Sequence, residues 1–501
     1  MSNSTKKIIS AILAASLLIS AVFSASCGSQ PSDTSKEQES VTTEIETQPE
    51  ETLSELEMRR LVKDDLPEND FDGYEFRVVI DNYGMDAYEM PEPTGDIIDD
   101  AVYQRNFNVS ERYNVSFTFI QPGDYSATGN FMQKAVLAAD DAFDLGATHV
   151  VNTSSVALKK VFMNWYDIPY VNLENPWWSR SNIEDLTYDG VALLTIGDYV
   201  LNSVGGTYCM YFNRQEAENY NLGNMYEVVS EGKWTIDRLS ETTKEIYQDL
   251  NGDGQRTLDD FYGFATGVAS NIGAYLWAFN NPVCKRNNDG TISVTVKTEK
   301  MNSIVEKLNK IMWENTGTYY GNNPDHHHSG GGAMFRVGKA LFANSTIGTA
   351  VTSFRELEAD YGIIPYPKWD EEQKDYRSLV DGSHGAEVVP ITIQNPERTG
   401  IIIEALNAES YRQVIPIYIE TALKVKYARD AECVEVLDML IANRFFDFGY
   451  VYDGWNGASF WLEGMIQKKY SDFESFYAKN EKKMLKHYEK VFDIFAEYAE
   501  G

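Results

Sequence analysis

Alternation at one point of the chain and helical spacing at the next set the first expectations. In Val115-Ser116-Phe117-Thr118-Phe119 every second residue is apolar, the period of a strand with one buried face. Tyr74 to Ile80 is apolar and rich in β-favouring residues, and predicts a second strand. Between the two, Ile98, Val102, Val109 and Tyr113 fall at spacings of 4, 7 and 4, one face of a helix. Phe131 to Ala139 repeats the helical spacing, and Phe143 to Val150 reads as a third strand. Strand, helix, strand, helix, strand is the order of a parallel sheet with crossover helices. The pattern resumes after Tyr208-Cys209-Met210-Tyr211-Phe212, with a helix expected from Ile236 to about Tyr247 and short strands at Tyr262 to Phe264, Lys339 to Ala343 and Tyr361 to Ile364. Thr235 suits the N-cap of that helix, and Asp237 places negative charge in its first turn. Helical spacing then dominates in Ile401 to Leu406, Val414 to Ala428, Cys433 to Leu440 and Phe473 to Tyr498. Two α/β units followed by helices predict two lobes on one chain. No repeat of short period points to a solenoid or propeller.

Composition sharpens this picture. From about Phe71 onward roughly 430 residues are available for folding, more than one core supports. The formal charge of −33 excludes a phosphate-binding surface for nucleic acid and disfavours anionic lipid. Gly28 to about Asn69 is rich in Ser, Thr, Glu and Gln and poor in aromatics, so it is expected to be a disordered acidic tether. Cys209, Cys284 and Cys433 are odd in number and lack metal-type spacing, and are expected as buried small apolar residues rather than a disulfide framework.

At the N-terminus Lys6 and Lys7 precede an apolar run from Ile8 to Phe23, then small residues Ser24-Ala25-Ser26. These are the marks of a secretory signal, too short for a membrane span. Cys27-Gly28 after them resembles the lipobox of bacterial lipoproteins, with Ser24 where Leu is usual. That resemblance implies acylation of Cys27 and anchoring to the outer face of the cytoplasmic membrane.

Residues 249–260, DLNGDGQRTLDD, place side-chain oxygens at positions 1, 3, 5, 9 and 12 and Gly254 at position 6, where a calcium loop turns sharply. Asp249, Asn251, Asp253, Gln255 (through its carbonyl), Thr257 and Asp260 are the candidate ligands of a structural Ca²⁺. Asp260 stands where Glu is usual and Arg256 where an apolar residue is usual, and the same residues favour a tight turn without metal.

Gly232-Lys233-Trp234-Thr235, Asn251-Gly252-Asp253-Gly254 and Tyr262-Gly263-Phe264 together resemble the extracellular solute-binding proteins of ABC importers, in the branch containing maltose-binding protein. Tyr211-Phe212-Asn213-Arg214 with Tyr220-Asn221-Leu222, Gly338 to Phe342 and Tyr361 to Pro367 agree with that family in order. The resemblance implies a two-lobed α/β fold of the type II periplasmic-binding-protein kind. With 1–27 as the lipoprotein signal peptide and 28–70 as the tether, its first lobe is expected in 71–203 plus about 385–445 and its second in 204–384 plus about 446–501, with crossings near Leu201 to Gly206 and Ser383 to Glu387. It also implies a monomer that closes on a small-molecule solute, a carbohydrate above all, and delivers it to a membrane permease without catalysis.

Sugars present hydroxyl rims and apolar C–H faces, which aromatic platforms and amide or carboxylate groups complement. In the loops that the family places at the cleft mouth the candidates are His149, Asn152, Tyr208, Asn271, Tyr275, Trp277, Asn344, Ser345, Ser383, His384 and Trp455. Trp455, flanked by Gly454 and Asn456, is favoured as an exposed loop aromatic. Trp177-Trp178, Trp234 and Trp313 are expected to pack. His326-His327-His328, beside Gly330-Gly331-Gly332, reads as a solvated loop rather than a metal tract. No nucleophile elbow, zinc motif, phosphate loop or dinucleotide fingerprint is present. A surface glycan-binding adhesin and an extracellular glycoside-active enzyme are the alternative functions.

Overall fold

The computed structural model describes residues 55–82, 88–267, 269–321, 330–419, 431–455 and 457–500. The signal segment, Cys27, most of the tether, the histidine tract and residues 420–430 lie outside the described residues. The strands in chain order are β1 (Tyr74–Ile80), β2 (Val115–Ile120), β3 (Leu145–His149), β4 (Tyr208–Asn213), β5 (Tyr247–Gln248), β6 (Phe261–Thr266), β7 (Cys284–Arg286), β8 (Ile292–Val294), β9 (Thr318–Tyr320), β10 (Ala340–Thr346), β11 (Tyr361–Ile364), β12 (Ser378–Leu379), β13 (Gly385–Val388) and β14 (Arg444–Phe445).

The first sheet has the order β13-β3-β1-β2. β1 pairs parallel with β2, Tyr74 opposite Val115, and with β3, Val78 opposite Leu145, as the strand-helix-strand pattern predicts. The intervening helices are Ile97–Tyr113 and Tyr125–Leu137, begun by the side chains of Asp96 and Asp124, which accept from the N–H groups of Ile98 and Ala127. The second sheet runs β11-β4-β10-β6-β5, with β9 also on β6. The helix at Ile236–Thr243 is capped by Thr235 as expected, but it stops short of Tyr247, which turns into β5 against β6. Trp234 is fully buried beside that cap, and its indole donates to the Pro365 carbonyl at 2.9 Å.

Chain passes between the lobes after β3 and before β13, and again beyond β13, where the helix Ala431–Ala442 packs on β11. The return strand β13 pairs antiparallel with β3, Gly385 opposite His149. The two crossing segments bond to each other: the Asp381 N–H donates to the Gly206 carbonyl at 2.8 Å, the Gly385 N–H to Asn202 Oδ1 at 3.0 Å, and Thr207 bridges Val380. Just inside the first lobe, Trp177 and Trp178 are buried, and their indoles donate to the two oxygens of Glu404 at 3.0 and 2.9 Å. Cys209, Cys284 and Cys433 are buried and unbridged.

Two boundaries depart from the sequence reading. Part of the expected tether is a helix, Glu55–Leu61, and Asp64 just after it is held by both Arg112, at 2.9 Å, and Arg412, at 3.1 Å. A Ser/Glu-rich composition did not reveal this, because the partners lie 48 and 348 residues away. The C-terminal helix, Phe473–Ala499, also does not belong to the second lobe alone. Its Tyr498 hydroxyl donates to the Phe162 carbonyl and Phe492 stacks on Tyr188, while Lys297 pairs with Glu474 at its start.

The Asp64 side chain is 4% exposed, and removing one member of such a buried pair costs about 3 kcal/mol or more. Burial opposes its charge, but the Arg112 and Arg412 guanidiniums outweigh burial and hold the carboxyl below the usual aspartate range. Asp64→Ala is therefore expected to lower the urea-unfolding free energy by about 3 kcal/mol at pH 7. Because the folded pKa is depressed, the gap between wild type and variant is present above the ordinary aspartate value and closes as pH falls through the folded one.

Candidate ligand cleft

Parallel strands leave their C-terminal ends at one edge of a sheet, and in open α/β sheets ligands collect there. At this edge the first lobe presents Asp81 and His149, and the second presents the loops after Thr266 and Thr346. Between them lies the crossing joint. A cavity of about 820 Å³ opens at it, lined from the first lobe by Asp96 and Asp99, from the second by Thr346, Thr349 and Arg355, and from the joint by Asn202, Asp381, Ser383 and His384. Asp96 and Arg355 form an ion pair across its rim.

Asp381 lines the cavity at the joint. Its Oδ1 accepts from the Ser383 N–H at 2.9 Å and its Oδ2 from the Tyr208 hydroxyl. The neighbouring Gly382 donates its N–H to the Tyr450 hydroxyl at 3.0 Å, and a Cβ there would fall 2.9 Å from that oxygen and 2.7 Å from Val151, so only glycine admits the contact. From Tyr450 a chain of rings runs outward through Phe460 (5.6 Å), Trp455 (5.9 Å), His149 (5.4 Å) and Tyr125 (4.8 Å from His149). Trp455 is 47% exposed, an open aromatic face within this wall. Three residues after Phe460, on the helix Trp461–Gln467, Glu463 approaches Gly273, where a Cβ would lie 3.2 Å from its Oε2. Burial first, and the charge of Asp381 second, push the Glu463 carboxyl up to about 7. His149 and His384 are both pushed down to about 4 by burial, so they are neutral imidazoles at pH 7.

No protein-family model and no curated protein matches the sequence. Solved structures do match in three dimensions. UgpB from Mycobacterium tuberculosis, in complex with glycerophosphocholine, superposes with a TM-score of 0.53 at 13% identity over 84% of this chain and 99% of that one. An ABC substrate-binding protein from Listeria monocytogenes, in complex with cycloalternan, gives 0.51 at 12% identity over 79% and 99%. An ABC transporter solute-binding protein from Agrobacterium radiobacter K84, in complex with ribitol, gives 0.50 at 10% over 86% and 99%. The fold is the two-lobed, type II binding-protein fold.

Within this binding-protein fold the sequence candidates separate into three groups. Tyr208, Ser383 and His384 surround Asp381, and His149 and Trp455 belong to the aromatic wall, with Asn152 donating to the Tyr125 carbonyl at 2.6 Å behind it. Asn271, Asn344 and Tyr275 gather with Tyr366 in a buried polar knot at the second-lobe edge. There the Asn271 side chain donates to the Asn344 carbonyl, Tyr366 donates to the Asn271 carbonyl, and the Tyr275 and Tyr366 rings lie 4.8 Å apart. Ser345 bonds to Thr349, which lines the cavity. Trp277 faces the interior: it is 1% exposed, and its indole donates to Asp447, whose carboxylate also accepts the N–H groups of Val283, Cys284 and Gly449. Asp96, Arg355 and Asp381 line the cavity, and Tyr125, Tyr450 and Phe460 belong to the ring wall, without having been selected by the sequence reading. Asp381 adjoins residues that reading did select.

In the loop 249–260 the oxygens turn to backbone N–H groups. Asp249 accepts from Gly252 and Gly254, Asn251 from Asp253, and Asp253 from Gln255. Buried Asp260 closes the loop by accepting from Leu250, Thr257 and the Tyr247 hydroxyl. Among the described residues no group of three His, Cys, Asp or Glu side chains converges as a metal site.

Trp277 and Trp455 should answer truncation in opposite ways. Trp277→Ala empties a packed site and strands Asp447, and is expected to cost about 3–5 kcal/mol in thermal or urea unfolding. Trp455→Ala removes an exposed ring and is expected to change stability by less than about 0.5 kcal/mol.

Proposed function

We propose that this chain is the solute-binding component of an ABC importer, capturing a small, carbohydrate-like solute between its lobes and presenting it to a membrane permease. The observation that carries the reading is the cavity at the crossing joint, which both lobes and the joint itself line. Closure about such a joint brings polar groups from two sides onto one ligand. The ring wall that includes Trp455 offers the flat apolar surface that a sugar's C–H face needs. The superposed structures hold glycerophosphocholine, cycloalternan and ribitol, and the present cavity supplies hydroxyl, amide and carboxylate partners for a solute of that size. On this reading Cys27 is the acylated anchor.

The test is a thermal-shift screen of the purified protein against mono- and oligosaccharides, followed by calorimetry and product analysis of each hit. A solute that binds the folded state raises the melting temperature with occupancy. We expect at least one hit whose affinity falls about tenfold or more in Trp455→Ala, with the solute recovered intact. Turnover of the hit would assign an enzyme instead. Preference for long polymer over short oligosaccharides would assign an adhesin.

Ca²⁺ at 249–260 is the second part of the proposal, resting on the spacing of its oxygens. Binding would require Asp249, Asn251 and Asp253 to exchange their N–H partners for the ion, while Asp260 continues to close the loop. Added Ca²⁺ is expected to raise the melting temperature of the wild type and not of Asp249→Asn. Equal melting in Ca²⁺ and in chelator would show that the turn is held by its own hydrogen bonds.

A further inference from the structure

A second cavity lies outside the joint, against the C-terminal helix Phe473–Ala499. Its volume is about 280 Å³, and it is lined by Asp453, Trp455 and Trp461 and, from the helix, by Asn480, Lys483 and His487. Trp455 thus belongs to two surfaces, the wall it forms with His149 and Phe460 and this pocket. The Asp453 carboxylate is turned inward. Its side chain is 1% exposed, one oxygen accepts the Ser459 N–H at 2.8 Å, and the other lies 4.0 Å from His487 Nε2, which donates to the Tyr452 carbonyl.

Lys483 is one of a row. Lys479, Lys483, Lys486 and Lys490 fall at spacings of 4, 3 and 4, one face of the helix, with Lys482 beside them, and all five are exposed. The buried positions Tyr477, Met484, Tyr488 and Val491 lie on the opposite side. Between 479 and 490 these five lysines stand against only Glu481 and Glu489, in a chain whose formal charge is −33. Among the described residues none of the five makes an ion pair, whereas Lys160, Lys297, Lys307 and Lys339 each pair with a carboxylate. The same face turns acidic at Asp493 and Glu497, so the basic row covers about 16 Å of helix.

We propose that this pocket and the lysine row form a second binding site, for an acidic oligosaccharide: one sugar ring sits in the pocket against Trp455 with its carboxylate at Lys483, and further acidic sugars follow the row. The site does not depend on a solute in the joint cavity. Other anions match a row of lysines, and the pocket and the overall charge separate them from a glycan. A pyranose carries an apolar C–H face and a charge at its edge, the two features that an open indole beside an unpaired lysine complements. A bilayer presents headgroups to a surface and needs no ring-lined recess. A nucleic acid, charged at every phosphate, meets more of the repulsion of a strongly acidic chain than a glycan with one charge per ring.

The experiment is calorimetry on the full chain with four probes: an oligogalacturonate, its uncharged methyl ester, a single-stranded oligothymidylate and phosphatidylglycerol vesicles. We expect the oligogalacturonate to bind at least about tenfold more tightly than the ester, with the preference weakening in salt. Lys483→Gln should cost more of that affinity than Lys490→Gln, because Lys483 lines the pocket and Lys490 does not. Both lysines are exposed, so neither change should move the melting temperature, and lost binding then reports a lost contact. Equal binding of acid and ester, or no binding of either, overturns the site. Equal losses in the two variants overturn the pocket as the seat of the sugar. Tighter binding of the oligothymidylate or of the vesicles than of the oligogalacturonate overturns the glycan assignment and gives the lysine row to a nucleic acid or to a membrane surface. The reading of the joint cavity fails separately, in the saccharide screen.

Discussion

The architecture depends on one joint, where two crossing segments hydrogen-bond to each other between the lobes. The Asp381 N–H reaches the Gly206 carbonyl, the Gly385 N–H reaches Asn202, and β13 then returns to β3 in the first sheet. These segments pass between two separately packed sheets, and a bend at them is the hinge mode of domain closure. Whatever lies against the joint is enclosed or released by that bend. The side chain of Asp381 projects from it and is held by Tyr208 and Ser383, so the polar centre of the cleft is fixed to the part of the molecule that moves least.

The remaining packing keeps the two bodies rigid enough for a bend at the joint to matter. In the first lobe Glu404 takes both tryptophan indoles of Trp177-Trp178, and in the second Trp234 is locked by the Pro365 carbonyl. Asp447 serves four donors at once near the C-terminal elements, and in doing so positions the helix Phe448–Tyr452 that carries Tyr450 to the cleft. Buried carboxylates with several donors recur through this acidic chain. They recur because an unpartnered one is expensive.

Much of the fold was legible in the sequence, for a physical reason. The strand Tyr208–Asn213 is buried along almost its whole length and so reads as an apolar run, Tyr74–Ile80 is buried at Phe76 and from Val78 to Ile80, and the helix Ile97–Tyr113 is buried on one face and shows its spacing. The site was legible only where a loop identity coincided with a sheet edge, as at His149, Ser383 and His384. Trp277 and Trp455 illustrate the limit. Both are tryptophans near glycine or asparagine, yet one is buried by Asp447 and the other is open, and that difference is set by partners distant in the chain. Asp64 lies in an ordinary acidic segment. It has its role from residues that only the folded chain brings near.

Closure about the joint is the claim on which the transport role turns, and solution X-ray scattering tests it most directly. With a saturating solute from the saccharide screen, the radius of gyration should fall as the lobes close over the cavity at Asp381. An unchanged scattering profile at full occupancy would contradict closure and leave a static binding surface in its place.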